Sequence, residues 1–206
     1  MDRLDKNGKT EEQFLRDYDV TKYFRPSVTV DAVLCVKKSE SVRVLMIERG
    51  GHPFIGCYAF PGGFVESDED CETAAARELN EETGISGIAL RQLVTASEPK
   101  RDPRWRNITV IFYADIQSEL HAVGGDDAAS AVWFDITCSY NKTKDDEKAV
   151  LDFCADGEQF NVELDVVRDS FGKVDLNKTR IVDRGKTAFD HAVVLLFLYE
   201  KLRGEK

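Results

Sequence analysis

The sequence predicts an α/β fold, a mixed sheet lying between helices, with a β-hairpin inserted before the last helix. Three observations carry this. Runs rich in β-branched residues stand on both sides of one helix-favouring segment, residues 70–83. An amphipathic segment closes the chain, so helices are available to cover a sheet. Between about residues 137 and 183, Phe160, Val162, Leu164 and Val166 alternate with polar residues, the pattern of a half-buried strand. With 206 residues, 42% of them hydrophobic, the chain is long enough for one domain with a sizeable core.

The elements follow in order. Residues 1–24 are polar, with Phe14, Leu15, Tyr18, Tyr23 and Phe24 interspersed. They are expected to form an extension whose Phe14 and Tyr18, four apart, mark a short amphipathic helix packing on the domain or on a partner subunit. The folded body is expected to span residues 25–206, because Pro26 drives Arg25 toward extended geometry. Residues 28–36 and 42–48 read as strands joined by a short hairpin loop, and residues 49–56 as a glycine- and proline-containing loop. Gly62 and Gly63 let the backbone approach a ligand or metal closely. A helix then runs from about Asp70 to a stop at Gly84. Residues 88–97 should be extended. A basic, proline-punctuated loop, residues 98–106, precedes a strong strand at 108–116. A turn-rich loop at 121–130 leads to a short strand at 131–136.

The insertion at about 137–183 is expected to hold a helical turn or two at residues 148–155. A hairpin should follow, residues 160–166 pairing with a return strand that includes Val174, Leu176 and Ile181. Thr187 is read as capping the final helix, whose stripe is Phe189, Val193, Leu196, Phe197 and Leu202.

Composition excludes several functions. The net charge is −10, which disfavours nucleic acid as a partner, since a phosphate backbone calls for a basic face. A small anionic substrate remains compatible, because a bound divalent cation and a few arginines can invert the local field. No apolar run is long enough to span a membrane, and the first thirty residues lack an apolar signal core, so a cytoplasmic location is expected. The five cysteines are scattered without a CxxC pair and read as reduced thiols.

Chemistry concentrates in residues 63–85, GFVESDEDCETAAARELNEETGI, which hold eight acidic residues and the single base Arg77. At about 100° per residue, Glu78, Glu81 and Glu82 share one helix face. Glu78 and Glu82, one turn apart, repel each other. A hard divalent cation converts that repulsion into ligation and keeps places for phosphate oxygens. An arbitrary cluster of three glutamates is more often a solvated face, but here the spacing is specific. Gly63, five residues, Glu69, seven residues, Arg77-Glu78-Leu79, one residue, Glu81-Glu82, one residue and Gly84-Ile85 match the Nudix box at every defined position, and the chain resembles the Nudix hydrolases. The segments IERGGHPFIGCYAFPGGFVE, RDPRWR and AFDHA resemble bacterial ADP-ribose pyrophosphatases and the related regulators of NAD metabolism.

The resemblance implies an α/β/α sandwich that hydrolyses a nucleoside diphosphate linked to another moiety, with Mg²⁺ (or Mn²⁺) as cofactor. ADP-ribose, giving AMP and ribose 5-phosphate, is the expected substrate. An NDP-sugar or nucleoside triphosphate house-cleaning hydrolase is the alternative. Glu78 and Glu82 are the expected metal ligands, Glu81 supports or bridges, and the Gly63 carbonyl is a further ligand by resemblance. Glu81 or Glu82 can also deprotonate water, as can a carboxylate of a later loop, Glu119, Asp126 or Asp127. Arg77 orients the glutamates and can pair with Glu81, while Glu69 supports the arrangement from behind. Arg49, Arg101 and Arg104 are expected to hold phosphates or ribose hydroxyls, and Trp105 to stack on adenine. His191, beside Asp190, reads as a core-edge histidine before a catalytic one. A homodimer is expected from the resemblance. An ADP-ribose-sensing regulator would carry a basic winged-helix domain after the final helix, and a chain ending at Lys206 is expected to have no room for one.

Overall fold

The computed structural model describes residues 3–125 and 128–204. In chain order the elements are α1 (Glu11–Arg16), β1 (Ser27–Lys37), β2 (Val42–Arg49), β3 (Tyr58–Ala59), β4 (Gly62–Phe64), α2 (Cys71–Thr83), β5 (Arg91–Ala96), β6 (Asn107–Asp115), β7 (Ala128–Lys142), β8 (Glu147–Ala155), β9 (Glu158–Asp165), β10 (Arg180–Asp183) and α3 (His191–Gly204). One sheet runs in the order β10-β9-β8-β7-β2-β1-β6-β5. It is mixed: β1 and β6 are parallel, and the other pairings are antiparallel.

The expected layering holds. One face of the sheet packs Val33, Met46, Phe134 and Leu151 against Leu196 and Val193 of α3. The other packs Ala32, Leu34, Leu45 and Phe112 against Ala74, Ala75 and Leu79 of α2. Strand β1 is buried from Val30 to Val36, as a strand covered on both faces must be. Helix α2 begins where Asp70 accepts the Thr73 amide at 2.8 Å and stops at Gly84, whose φ of 73° is a conformation glycine adopts without strain.

The site is placed by a fork in the sheet. Strands β1 and β2 pair only at Cys35–Lys37 with Val42–Val44 and then part. The short strands β3 and β4 fill the gap, β3 on β2 and β4 on β1. The segment from Tyr58 to Phe64 therefore crosses from one central strand to the other beneath α2.

Three expectations need correction. Residues 148–155 are not helical but form strand β8, in which Ala149, Leu151 and Phe153 are buried and Asp152 and Cys154 are exposed. That is a period of two, and pairing with β7 and β9 wins over any local helical preference. The strand at 131–136 continues to Lys142 as part of β7. The region after residue 137 is thus no isolated hairpin. Strands β8, β9 and β10 extend the central sheet, with β8 and β9 joined at Asp156-Gly157. Arg168 fastens this extension to α3: its guanidinium donates to Glu147 on β8 and to Glu200 at 2.8 and 3.0 Å. Finally, Thr187 caps nothing. It is buried, its hydroxyl donates to the Arg184 carbonyl at 2.9 Å, and α3 begins four residues later.

The N-terminal helix exists, opened by a capping box between Thr10 and Gln13. None of its residues is buried, and Phe14 meets Tyr18 at 5.6 Å on the surface. Among the described residues, no helix is long and apolar enough to cross a membrane.

Candidate active site

A cavity of about 470 Å³ opens at the fork, lined by the ends of β1 and β2, the Ala59–Phe64 segment, one face of α2, the basic loop and the start of α3. The acidic helix face supplies its first wall. Glu78 and Glu82 line the cavity, and Glu81 stands beside it. Arg77 holds the group together. Its guanidinium donates to Glu69 at 2.6 and 3.1 Å, to Glu78 at 2.8 Å, to Glu81 at 3.0 Å and to the Phe64 carbonyl at 3.1 Å. The expected pairing of Arg77 with Glu81 is therefore present, and Glu69 supports the arginine from the opposite side.

Glu82 is the most enclosed of the three glutamates. Its Oε2 accepts the Gly62 amide at 2.9 Å, and only 9% of the residue is exposed. Burial pushes its carboxyl up to about 7, and the charges of Glu78 and Asp31 push the same way. Glu78 is also raised, chiefly by burial. The two carboxylates thus stand crowded and poorly solvated, as the sequence spacing implied.

The glycines are fixed by contact. A Cβ on Gly63 would stand 2.2 Å from Glu78 Oε1, and one on Gly62 would stand 2.2 Å from the Val30 carbonyl oxygen. Any side chain at either position would displace the backbone or a carboxylate.

The second wall is arginine and phenylalanine. Phe189 has two guanidinium groups near its ring, Arg49 at 5.1 Å and Arg104 at 5.5 Å from the ring centre. Arg104 also sits 5.6 Å from the Phe64 ring. Asp102 accepts from Arg104 at 2.8 Å and from Asn107 at 2.7 Å, which shapes the loop. Arg101 lines the cavity but is held by a forked contact to Asp190, at 2.8 and 2.6 Å, with its side chain 5% exposed. Trp105 lies outside the cavity wall, 59% exposed and tilted on Phe24 at 5.9 Å.

Of the later-loop carboxylates, Glu119 is paired with Arg43 at 2.7 Å and does not line the cavity. The loop after it returns to α2, where Val123 and Gly125 donate to the Thr83 and Glu82 carbonyls at 3.0 and 3.2 Å. Asp126 and Asp127 lie outside the described residues.

Two groups in the cavity escaped the sequence reading. The sequence pattern places Phe189 in the stripe of the final helix, but it precedes α3. Asp31 sits inside a strand and carries no motif. A lone aspartate within VTVDAVLCV was the available signal, since a charge is rarely fully buried without a reason.

The Nudix domain family model matches residues 25–153. The chain belongs to the Nudix family. It is a pyrophosphohydrolase of that family, whose members use divalent metal ions. This Nudix chain is 38% identical over 146 residues to an ADP-ribose pyrophosphatase of Methanocaldococcus jannaschii, a match covering 69% of this chain and 83% of the relative. It is 34% identical over 117 residues to the ADPR responsive transcriptional repressor NtrR of Acinetobacter baylyi, covering 56% of this chain and 47% of that protein. Among solved structures, a MutT/nudix family protein from Enterococcus faecalis superposes with a TM-score of 0.71 at 29% identity, over 95% of this chain and 70% of that one. The Nudix domain of Shewanella oneidensis NrtR, complexed with ADP ribose, superposes with a TM-score of 0.55 at 31% identity, over 61% of this chain and 82% of that one.

Proposed function

We propose that this Nudix hydrolase cleaves ADP-ribose to AMP and ribose 5-phosphate, with Mg²⁺ held by Glu78 and Glu82. The observation that carries the reading is the meeting, in one cavity, of a crowded carboxylate pair with a wall of arginines and phenylalanines. The activity of the Methanocaldococcus relative and the ligand of the Shewanella domain favour ADP-ribose among small nucleotides.

The donor set suits a hard divalent cation. Its side-chain donors are carboxylate oxygens, two of them crowded and held above the usual carboxylate range by burial even with Arg77 bonded to Glu78, and the Gly63 backbone abuts Glu78 with no Cβ to keep an ion away. Glu81 supports the pair and the Gly63 carbonyl is a further ligand in this reading. When bound, the cation supplies charge neutralisation and Lewis-acid polarisation of the pyrophosphate.

The remaining work belongs to the chain. Gly62 fixes the rotation of Glu82, and Arg77 fixes Glu69, Glu78 and Glu81 relative to one another. This ordering prepares the charge distribution before the substrate arrives. Arg49 and Arg104 take the outer phosphate oxygens, Arg104 with the planar fork that suits them. Phe189 and Phe64 offer apolar faces to the nucleoside. Water is deprotonated by Glu81 or Glu82 as it attacks phosphorus. The chain is proposed to act as a homodimer, supported by Leu4, Phe14, Leu15, Tyr23 and Phe24, which are all exposed near the N-terminus. Light scattering on the eluted protein would report a clean monomer if this is wrong.

The test is a panel of ADP-ribose, NADH, nucleoside diphosphate sugars, dinucleoside polyphosphates and modified nucleoside triphosphates, with Mg²⁺. ADP-ribose is expected among the best substrates, with AMP and ribose 5-phosphate formed in equal amounts. If it ranks below the sugars or the triphosphates, the specificity reading fails. Absence of turnover with tight ADP-ribose binding would point instead to a sensor.

A further inference from the structure

The entry to α3 touches the site from behind with three successive residues, Phe189, Asp190 and His191. Phe189 packs against Arg49 and Arg104, Asp190 holds Arg101, and His191 reaches the Phe60–Gly63 segment. The proposed reaction uses none of His191's atoms, yet His191 is 3% exposed and lines the cavity.

Its contacts are specific. The Phe60 amide donates to His191 Nδ1 at 3.0 Å, and the two rings stack with centres 4.6 Å apart. Nδ1 therefore carries no hydrogen, and the ring's N–H is on Nε2. That atom faces Asp31 Oδ2 at 3.4 Å without a formed hydrogen bond, and this buried oxygen has no hydrogen-bond partner among the described residues. Asp31 is in turn opposite Gly62 in the β1–β4 register. The Pro61 carbonyl accepts the Ala32 amide at 2.8 Å, and Gly62 donates to Glu82. The imidazole thus holds the start of the backbone turn at Phe60 and faces Asp31, which lies opposite the turn's end, where Gly62 orients Glu82 and Gly63 abuts Glu78.

We propose that His191 is a positioning residue for the cation site: by accepting the Phe60 amide and facing Asp31, it sets the Phe60–Gly63 segment and, through the Gly62 amide, the Glu82 carboxylate. The AFDHA segment thereby has a physical role. No proton transfer is assigned to His191. Without its acceptor, the Phe60 amide is buried and unpaired, a state costly enough to shift the turn. A small shift there rotates Glu82 away from Glu78. Partners behind metal ligands typically change affinity by about 10–100-fold when removed.

The inference rests on the cation site proposed above, and the experiment separates the two. Mn²⁺ binding is measured on the full chain without nucleotide, from the paramagnetic resonance signal of free Mn²⁺. His191→Asn places its amide oxygen where Nδ1 stood and keeps the acceptor for Phe60. His191→Gln reaches toward Asp31 but leaves the Phe60 amide unpaired. The expectation is that His191→Asn binds within about threefold of the parent and His191→Gln about tenfold more weakly. Equal affinity for the two variants overturns the proposal, as does a tenfold loss in His191→Asn. Should His191→Gln fail to fold, His191→Asn decides alone by the same limits. Glu82→Gln is the control. If it binds Mn²⁺ like the parent, the cation site itself is wrong and the inference falls with it. If it loses Mn²⁺ while His191→Gln does not, only the inference falls.

Discussion

The acidic face of α2 and the basic loop before β6 both bring charged residues to one cavity, but they are built in opposite ways. On α2 the organising contacts are local. Arg77 reaches Glu78 and Glu81 on its own helix and Glu69 just before the helix start, all within eight residues, so one short stretch of chain brings them together. In the loop the organising contacts are remote. Arg101 is held by Asp190, 89 residues away, and its hydroxyl partner Thr109 touches Thr29 of β1 at 2.6 Å. A spacing motif therefore specifies the first wall, while the second depends on the whole fold being assembled.

The contrast can be broken at its strongest point by Gly63→Ala. The added methyl would meet Glu78 at 2.2 Å with α2 well packed behind it. We expect kcat to fall by about two to three orders of magnitude, because several kcal/mol of charge stabilisation depend on that carboxylate. Steady-state kinetics at saturating Mg²⁺ checks this, and a loss below about threefold would mean that the close approach has no catalytic consequence.

Asp190→Asn tests the remote wall. It leaves the Arg101 guanidinium buried with half its partner, so stability should fall by about 2–4 kcal/mol. Denaturant unfolding measures this, and KM for the nucleotide should rise as the loop loosens. Mn²⁺ affinity should stay close to the parent's, since Asp190 makes no contact with the glutamates. A variant that loses Mn²⁺ instead would show that the two walls are not independent.

Glu147→Gln probes the strand extension, far from both walls. Hydrogen bonds from Arg168 hold the Glu147 carboxyl down at about 2, against an ordinary 4.5. Its folded value is depressed, so its contribution is complete above about pH 4.5 and is lost as pH falls toward 2. The variant should be less stable by about 1–2 kcal/mol at neutral pH, with kcat/KM unchanged. The gap in Tm should narrow as the pH is lowered below 4.5. A gap independent of pH would remove the ion pair as its cause.

The smallest effect is expected from Trp105→Ala. Outside the cavity and against Phe24, this ring should change KM by less than about threefold and stability by about 0.5 kcal/mol or less. A large rise in KM would return it to the nucleotide site.

These differences also explain what was legible beforehand. The glutamates, Arg77, the helix limits at Asp70 and Gly84, and the layered sheet were readable because each rests on local periodicity or on a capping residue. The expectation of a helix at residues 148–155 fails because the charged run before them masks an alternating AVLDFCA pattern. The role of His191 was invisible for a different reason. Its partner is the backbone amide of Phe60, 131 residues earlier, and an amide has no letter in a sequence. Phe189 was seen but assigned to the wrong element, since its φ of 48° places it before the helix rather than on it.

The central claim is that the α2 carboxylates make the reaction possible. Glu82→Gln tests it most directly, because the amide keeps the size of the side chain and an oxygen for the Gly62 amide while removing the charge. With ADP-ribose and Mg²⁺, kcat should fall by at least about a hundredfold in a variant whose Tm matches or exceeds that of the parent. Turnover at the parent's rate would contradict the account.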